Sequence, residues 1–184
     1  MSRGLGDVYK RQDENNRRMV TNIRLQMSNL AETLLKNGDP ERAMDVLDEL
    51  LLATPHENVP FSRVMMPVAE TYIQLAADTT VAPNARGLSS DRRANAWVVA
   101  QEVTNHFMDM QEDHIAYFTS LDSEYYLASE REVQFALQIG DRLVRVMKYF
   151  HVNAPETKAL EDKLTEMESA VEAYERNLMT LSSN

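Results

Sequence analysis

The sequence predicts an all-α fold built from antiparallel helical hairpins. Apolar residues recur at steps of three and four along most of the chain from Asp13 onward, the spacing that gathers them on one face of a helix. No run of alternating β-branched residues is long enough to make a sheet. Glycine (5) and proline (6) are scarce in 184 residues, which suits a mostly helical chain.

The first hairpin comes first in chain order and is the most regular. Met19, Ile23, Met27, Leu30 and Leu34 form the apolar stripe of a helix that Gly38 ends, because glycine takes a left-handed C-terminal conformation without a Cβ penalty. Asp39 caps the next helix, and Pro40 sits in its first turn, where a missing N–H costs nothing. That helix offers Ala43, Val46, Leu47, Leu50 and Leu51 to the core, and Thr54-Pro55 closes it. The pair has the spacing of a tetratricopeptide repeat, a helix–turn–helix unit of about 34 residues. Gly38, Ala43 and Pro55 fall where that pattern has Gly, Ala and Pro, and Ala31 is placed to meet Ala43 where the two backbones approach. Met27 and Leu34 stand in place of the pattern's Trp and Tyr. A generic two-helix hairpin of another bundle fits the same residues.

The second hairpin opens with Val64, Met65, Val68, Tyr72, Leu75 and Ala76 on one face, and Pro67 must either start this helix or kink it. Ala69 and Tyr72 match the small and aromatic positions of a repeat's first helix. Residues 78–90 read as a polar loop, long for a hairpin link and so an insertion. Ser89, Ser90 or Asp91 can cap the next helix, which runs from about Arg92 to Met110 over Ala96, Val99, Ala100, Val103, Phe107 and Met110, and continues, bent, toward Leu121. For the third hairpin, Ser129-Glu130-Arg131-Glu132 has the form of a capping box, with Leu121–Ala128 either a separate turn or a helical lead-in. Val133, Ala136, Leu137, Gly140, Leu143, Val146, Met147 and Phe150 then face inward. Gly140 costs about 1 kcal/mol of helix propensity against Ala, so close helix contact is its expected reason. After Asn153 and Pro155, Leu160, Leu164, Met167, Val171, Tyr174 and Leu178 form a regular seam. The expected architecture is a tetratricopeptide-like α-solenoid of about three hairpins, near 17–54, 60–121 and 124–178, in one helical domain over residues 13–180.

Charge and composition narrow the function classes. A net charge of −10 with pI ≈ 4.9 argues against nucleic acid or an anionic membrane as the main partner, since both call for a basic face. The absence of cysteine excludes disulfides and thiolate metal sites. No apolar run reaches the ~18–20 residues of a spanning helix, and residues 1–12 lack the apolar segment of a secretory signal.

Chemistry-bearing constellations are few. Glu102, His106, Asp109 and Asp113 share helical spacing and could hold a divalent metal, but a solvated acidic face is the simpler reading. There is no Gly-rich phosphate loop and no nucleophile elbow. Asp122 and Glu124 beside Tyr125-Tyr126 face either a pocket or an ordinary turn. Trp97, offset from the main stripe of its helix, is read as a second-face core residue, with an exposed anchor for a partner as the alternative. Tetratricopeptide arrays bind peptides in a groove, here the one beside Ala31 and Ala69. The Lys/Asn carboxylate clamp of some arrays is missing, its positions holding Ser28 and Glu32. No catalytic, cofactor-binding or metal-ligating residue is assigned and no cofactor is expected; the expected partner is a protein or peptide.

Two resemblances extend this reading. The run Asp13–Met19, with Asn22, Arg24, Leu30-Ala31-Glu32, Gly38-Asp39, Ala43, Val46-Leu47-Asp48, Pro55 and Val59-Pro60, resembles the C-terminal soluble region of a bacterial membrane-protein family named as a domain of unknown function and similar to protein O-mannosyltransferases (glycosyltransferases). The likeness is strongest over residues 13–76 and collinear to about Leu178. It implies a non-catalytic helical-repeat interaction domain, extracytoplasmic (periplasmic), that positions a membrane enzyme or its acceptor. The catalytic residues would lie in a multi-spanning part upstream, so none carries over to this chain, and contact with the membrane would come only through that part. Residues 1–12, MSRGLGDVYKRQ, resemble a translated sequencing adapter found at the ends of metagenomic gene models, and are expected to be a non-native or disordered tail. A free-standing cytoplasmic adaptor is the alternative.

Overall fold

The computed structural model describes residues 5–77 and 87–182. Among them it is all-helical: α1 (Leu5–Lys36), α2 (Pro40–Ala53), a short 3-10 turn (Arg63–Met65), α3 (Met66–Ala76), α4 (Ser90–Thr119), α5 (Ser123–His151) and α6 (Pro155–Ser182). The chain divides into two compact units, Met1–Trp97 and Val98–Asn184, and the division falls within α4.

In the first unit the turn between α1 and α2 follows its local chemistry. Gly38 takes φ 78°. The Asp39 N–H donates to the Leu34 carbonyl (2.9 Å) and the Gly38 N–H to Leu35 (3.0 Å), the paired bonds that satisfy the last carbonyls of a glycine-terminated helix. Asp39 caps α2, accepting from the Arg42 N–H. Ala31 and Ala43 are fully buried, as close approach of the two helices requires, and Met44, Leu47 and Leu50 complete the buried face of α2. Val46 and Leu51, expected in the core, are half-buried. Pro67 starts α3 rather than kinking it, and α3 is buried nearly all round, through Met66, Val68, Ala69, Tyr72, Ile73 and Leu75.

The stripe expected to be the inner face of α1 is not the one buried. Met19, Ile23 and Leu30 are 62%, 39% and 50% exposed, while Arg24, Ser28 and Ala31 are buried. The helix is turned by about one residue, roughly 100°, because close packing on α2 selects small side chains and because Arg24 has acceptors inside. α1 also starts at Leu5, within the segment expected to be a tail. Once nucleated, a helix gains one hydrogen bond per added residue, so it extends without an apolar stripe.

In the second unit, α4 from Val98 on, α5 and α6 pack as three helices. Gln101 reaches Glu156 (3.4 Å), Lys163 reaches Glu112 (2.7 Å) and also Asp109, and the Tyr174 hydroxyl donates to the Leu121 carbonyl, so α4 and α6 run parallel. Tyr126–Glu175 (3.0 Å) and Lys148–Glu161 make α5 antiparallel to α6. Ser89 caps α4, its Oγ accepting from the Arg92 N–H (3.3 Å); the rest of the expected insertion, 78–86, lies outside the described residues. α4 continues as one helix to Thr119. The Ser129–Glu132 box does not start a helix: α5 begins six residues earlier, at Ser123 after Asp122. A Ser-x-x-Glu run is equally at home inside a helix, and the helical lead-in was the better alternative. Leu160, Leu164, Met167 and Val171 are buried as their spacing predicts.

Among the described residues, Ser28 Oγ and Thr104 Oγ1 are buried without a hydrogen-bond partner. An unsatisfied buried polar group costs about 1–3 kcal/mol. Thr104→Val is therefore expected to raise the stability of the second unit by about 1 kcal/mol, read as a higher urea midpoint at unchanged slope.

Candidate functional site

Three groups of side chains stand out, and two of them serve the fold. The first is Arg24. Its guanidinium is buried, and among the described residues no carboxylate pairs with it. Nε donates to Thr54 Oγ1 (3.2 Å), Nη1 to the Pro60 carbonyl (3.0 Å), and Nη2 to the carbonyls of Thr54 (2.8 Å) and Val59 (2.7 Å). The Phe61 ring lies beneath it, 5.2 Å from the guanidinium carbon to the ring centroid. Burial holds this guanidinium below its ordinary pKa. His56 Nδ1 accepts the Phe61 N–H (3.0 Å) and its ring meets Phe61 edge-on. Residues 54–61 lie outside the helices, and one side chain of α1 donates to three of their carbonyls, those of Thr54, Val59 and Pro60. A segment with Pro55 and Pro60, unable to join a ladder, needs such a donor; that was the signal available in the sequence.

The second is Arg92, at the start of α4, which bridges Glu41 (2.5 Å) and Asp45 (2.6 Å) of α2. The buried Tyr72 donates to Asp48 (2.7 Å) in the same group. Burial, then the Asp48 hydrogen bond and charge, push the Tyr72 hydroxyl far above its ordinary value of 10.0. Above pH 10 the unfolded chain loses this proton and the folded one keeps it, so stability falls as pH rises, by up to about 1.4 kcal/mol per unit for one group. Tyr72→Phe is expected to flatten that alkaline decline by one proton's worth, measured by urea denaturation at successive pH values. Tyr126, raised by burial and Glu175, adds a second proton of the same sign.

The third is the outward side of α1. From Asn15 to Met27 it borders an open hollow of about 530 Å³. Met19 and Ile23 lie in it among Asn15, Asn22 and Gln26, with Leu30 one turn further on. No carboxylate occurs between Glu14 and Glu32.

The other residues singled out in the sequence do not converge on a reaction centre. Asp109 is engaged by Lys163, and no group of three or more metal-ligating residues occurs among the described residues, so Glu102, His106, Asp109 and Asp113 form no such cluster. Tyr126 is buried against Tyr174 (ring centroids 4.5 Å), while Tyr125 is exposed; the Glu124 side chain lies outside the described residues. Ala31, Ala69 and Ser28 are core rather than groove, and Glu32 pairs with Lys36 (2.5 Å). Trp97 is half-buried. Among the described residues no helix is long and apolar enough to cross a membrane. No protein-family model, curated protein or solved structure matches the chain.

Proposed function

We propose that this chain is a helical-repeat interaction module that serves a larger membrane protein, of the glycosyltransferase-like kind its sequence resembles, by holding that enzyme or its acceptor in place on the extracytoplasmic side. The observation that carries the reading is the open side of α1. Met19, Ile23 and Leu30 stay exposed there although each would gain roughly 1.5–3 kcal/mol by full burial. The outward side of α6 is of the opposite kind: Asp162, Glu166 and Asn177 are exposed there with only the small Ala170 and Ala173 between them, a surface without large apolar groups such as helical arrays turn to water. The Gly38-Asp39 turn and the Ala31–Ala43 approach further support the repeat assignment. The test is a long-read sequence of the source DNA upstream of the Asp13 codon. A continuous frame with several apolar segments is the expected result. A stop codon with a ribosome-binding site just before Met1 would sink the membrane assignment and leave a free-standing adaptor.

A further inference from the structure

We propose that the outward face of α5 is a docking surface for an acidic amphipathic helix of a partner protein. The surface belongs to the second unit, whereas the open side of α1 belongs to the first, and it does not depend on the membrane assignment. Arg131, Phe135, Arg142, Arg145, Tyr149 and Val152 recur at helical spacing within about 100° of one another round the axis, and all six are exposed. Val133, Ala136, Gly140, Leu143 and Met147 hold the opposite, buried side. Gln134 and Gln138 fill the rest of the exposed sector, so no acid interrupts it between Arg131 and Val152. Phe135, Tyr149 and Val152 are 39%, 82% and 65% exposed. Arginine, tyrosine and phenylalanine are the residues that protein interfaces concentrate, and lysine and the acids are those they lack.

Charge says what meets this face. From Val133 to Pro155 the one acid is Asp141, against Arg142, Arg145 and Lys148. By contrast, α4 from Val98 to Thr119 holds Glu102, Asp109, Glu112 and Asp113 and no lysine or arginine. The second half of α5 is thus a cationic island in an acidic chain. A nucleic acid or an anionic bilayer is larger than the island and would meet the surrounding acids of a chain with net charge −10. A single helix laid along α5 senses only charges within a Debye length, about 8 Å at physiological ionic strength, and there it finds arginines. Asp141 does not close the site. Its pair with Arg145 is exposed and spaced i,i+4, a kind worth little in water. A partner carboxylate can share or replace it, because a guanidinium has five donors in a fork that fits a carboxylate. Arg142 and Arg145 stand between Phe135 and Tyr149, which lie roughly 21 Å apart along the axis. The partner is therefore a helix with carboxylates at its middle and an apolar residue toward each end.

The test uses the full 184-residue chain and a fluorescent helical peptide of about 25 residues, long enough to span the stripe, with glutamates at its centre and leucines toward its ends. Fluorescence anisotropy is expected to show saturable binding that weakens as salt rises from about 50 to 500 mM. The same peptide with glutamine in place of glutamate is expected to bind at least roughly tenfold more weakly. Arg142→Glu with Arg145→Glu is expected to lose roughly tenfold or more in affinity. Lys158→Glu with Arg176→Glu changes the net charge by the same amount at exposed positions of α6 and is expected to leave binding nearly unchanged. Tyr149→Ala is expected to weaken binding without altering its salt dependence. Each variant should keep its helical circular dichroism and melting temperature, the positions being exposed. No binding of the glutamate peptide at low salt would overturn the proposal. Equal losses in the two double variants would also overturn it, reducing the effect to net charge. So would binding to phosphatidylglycerol vesicles but not to the peptide, which would make the face a membrane contact. The upstream DNA result is independent of these readings, so failure of the docking surface and failure of the membrane-module assignment are told apart.

Discussion

Arg24→Met is expected to destabilise the first unit by about 3–5 kcal/mol. Methionine fills much of the arginine's volume, so cavity formation is a minor part of this loss. The larger part comes from the Thr54, Val59 and Pro60 carbonyls, each of which loses its donor. Unsatisfied buried acceptors cost roughly 1–3 kcal/mol apiece, offset in part where the loop loosens enough to admit water. Arg24→Lys should recover little, because an ammonium gathers its donors on one nitrogen and cannot span acceptors arranged around a planar fork. Urea denaturation followed by circular dichroism gives the stability. Hydrogen exchange at the Phe61 amide, which donates to His56, reports whether residues 54–61 come loose before the helices do. A loss under 1 kcal/mol for Arg24→Met would mean that this segment is held by something other than the guanidinium.

Gly140→Leu is expected to cost the second unit about 3 kcal/mol, the upper range for over-packing a close helix contact. A Cβ at this position would already stand 3.0 Å from Leu164 Cδ1 and 3.6 Å from Met108 Cε, with α6 on one side and α4 on the other. Leucine has nowhere to place its remaining atoms without moving one of the helices. Gly140→Ala separates the two contributions: it gains about 1 kcal/mol of helix propensity and asks only a flexible leucine methyl to shift by a few tenths of an ångström. It is expected to lie within about 1 kcal/mol of the parent. If thermal melts show Gly140→Leu equal to Gly140→Ala, the three helices are not as tightly apposed as the geometry indicates.

Local chemistry written in the sequence determined that the chain is helical and several of the helix ends, though not the starts of α1 and α5. Gly38 and Asp39 gave the turn, Ser89 the start of α4 and Pro67 the start of α3, each through residues at most a few positions apart, and the spacing of Leu160, Leu164, Met167 and Val171 marked the inner seam of α6. Gly140 announced a close contact because a glycine inside a helix is costly without one. What only the tertiary structure decided was which way α1 faces. Its apolar stripe was legible, but hydrophobicity alone does not say that the space against α2 admits only small side chains. Nor does it say that a lone arginine will find its acceptors thirty residues or more away. A side chain whose partners come from a distant, irregular segment leaves no periodic mark in its own helix. For that reason the helix around Arg24 does not mark it as buried, and the stripe of Met19, Ile23 and Leu30 reads as core and is the chain's candidate contact face.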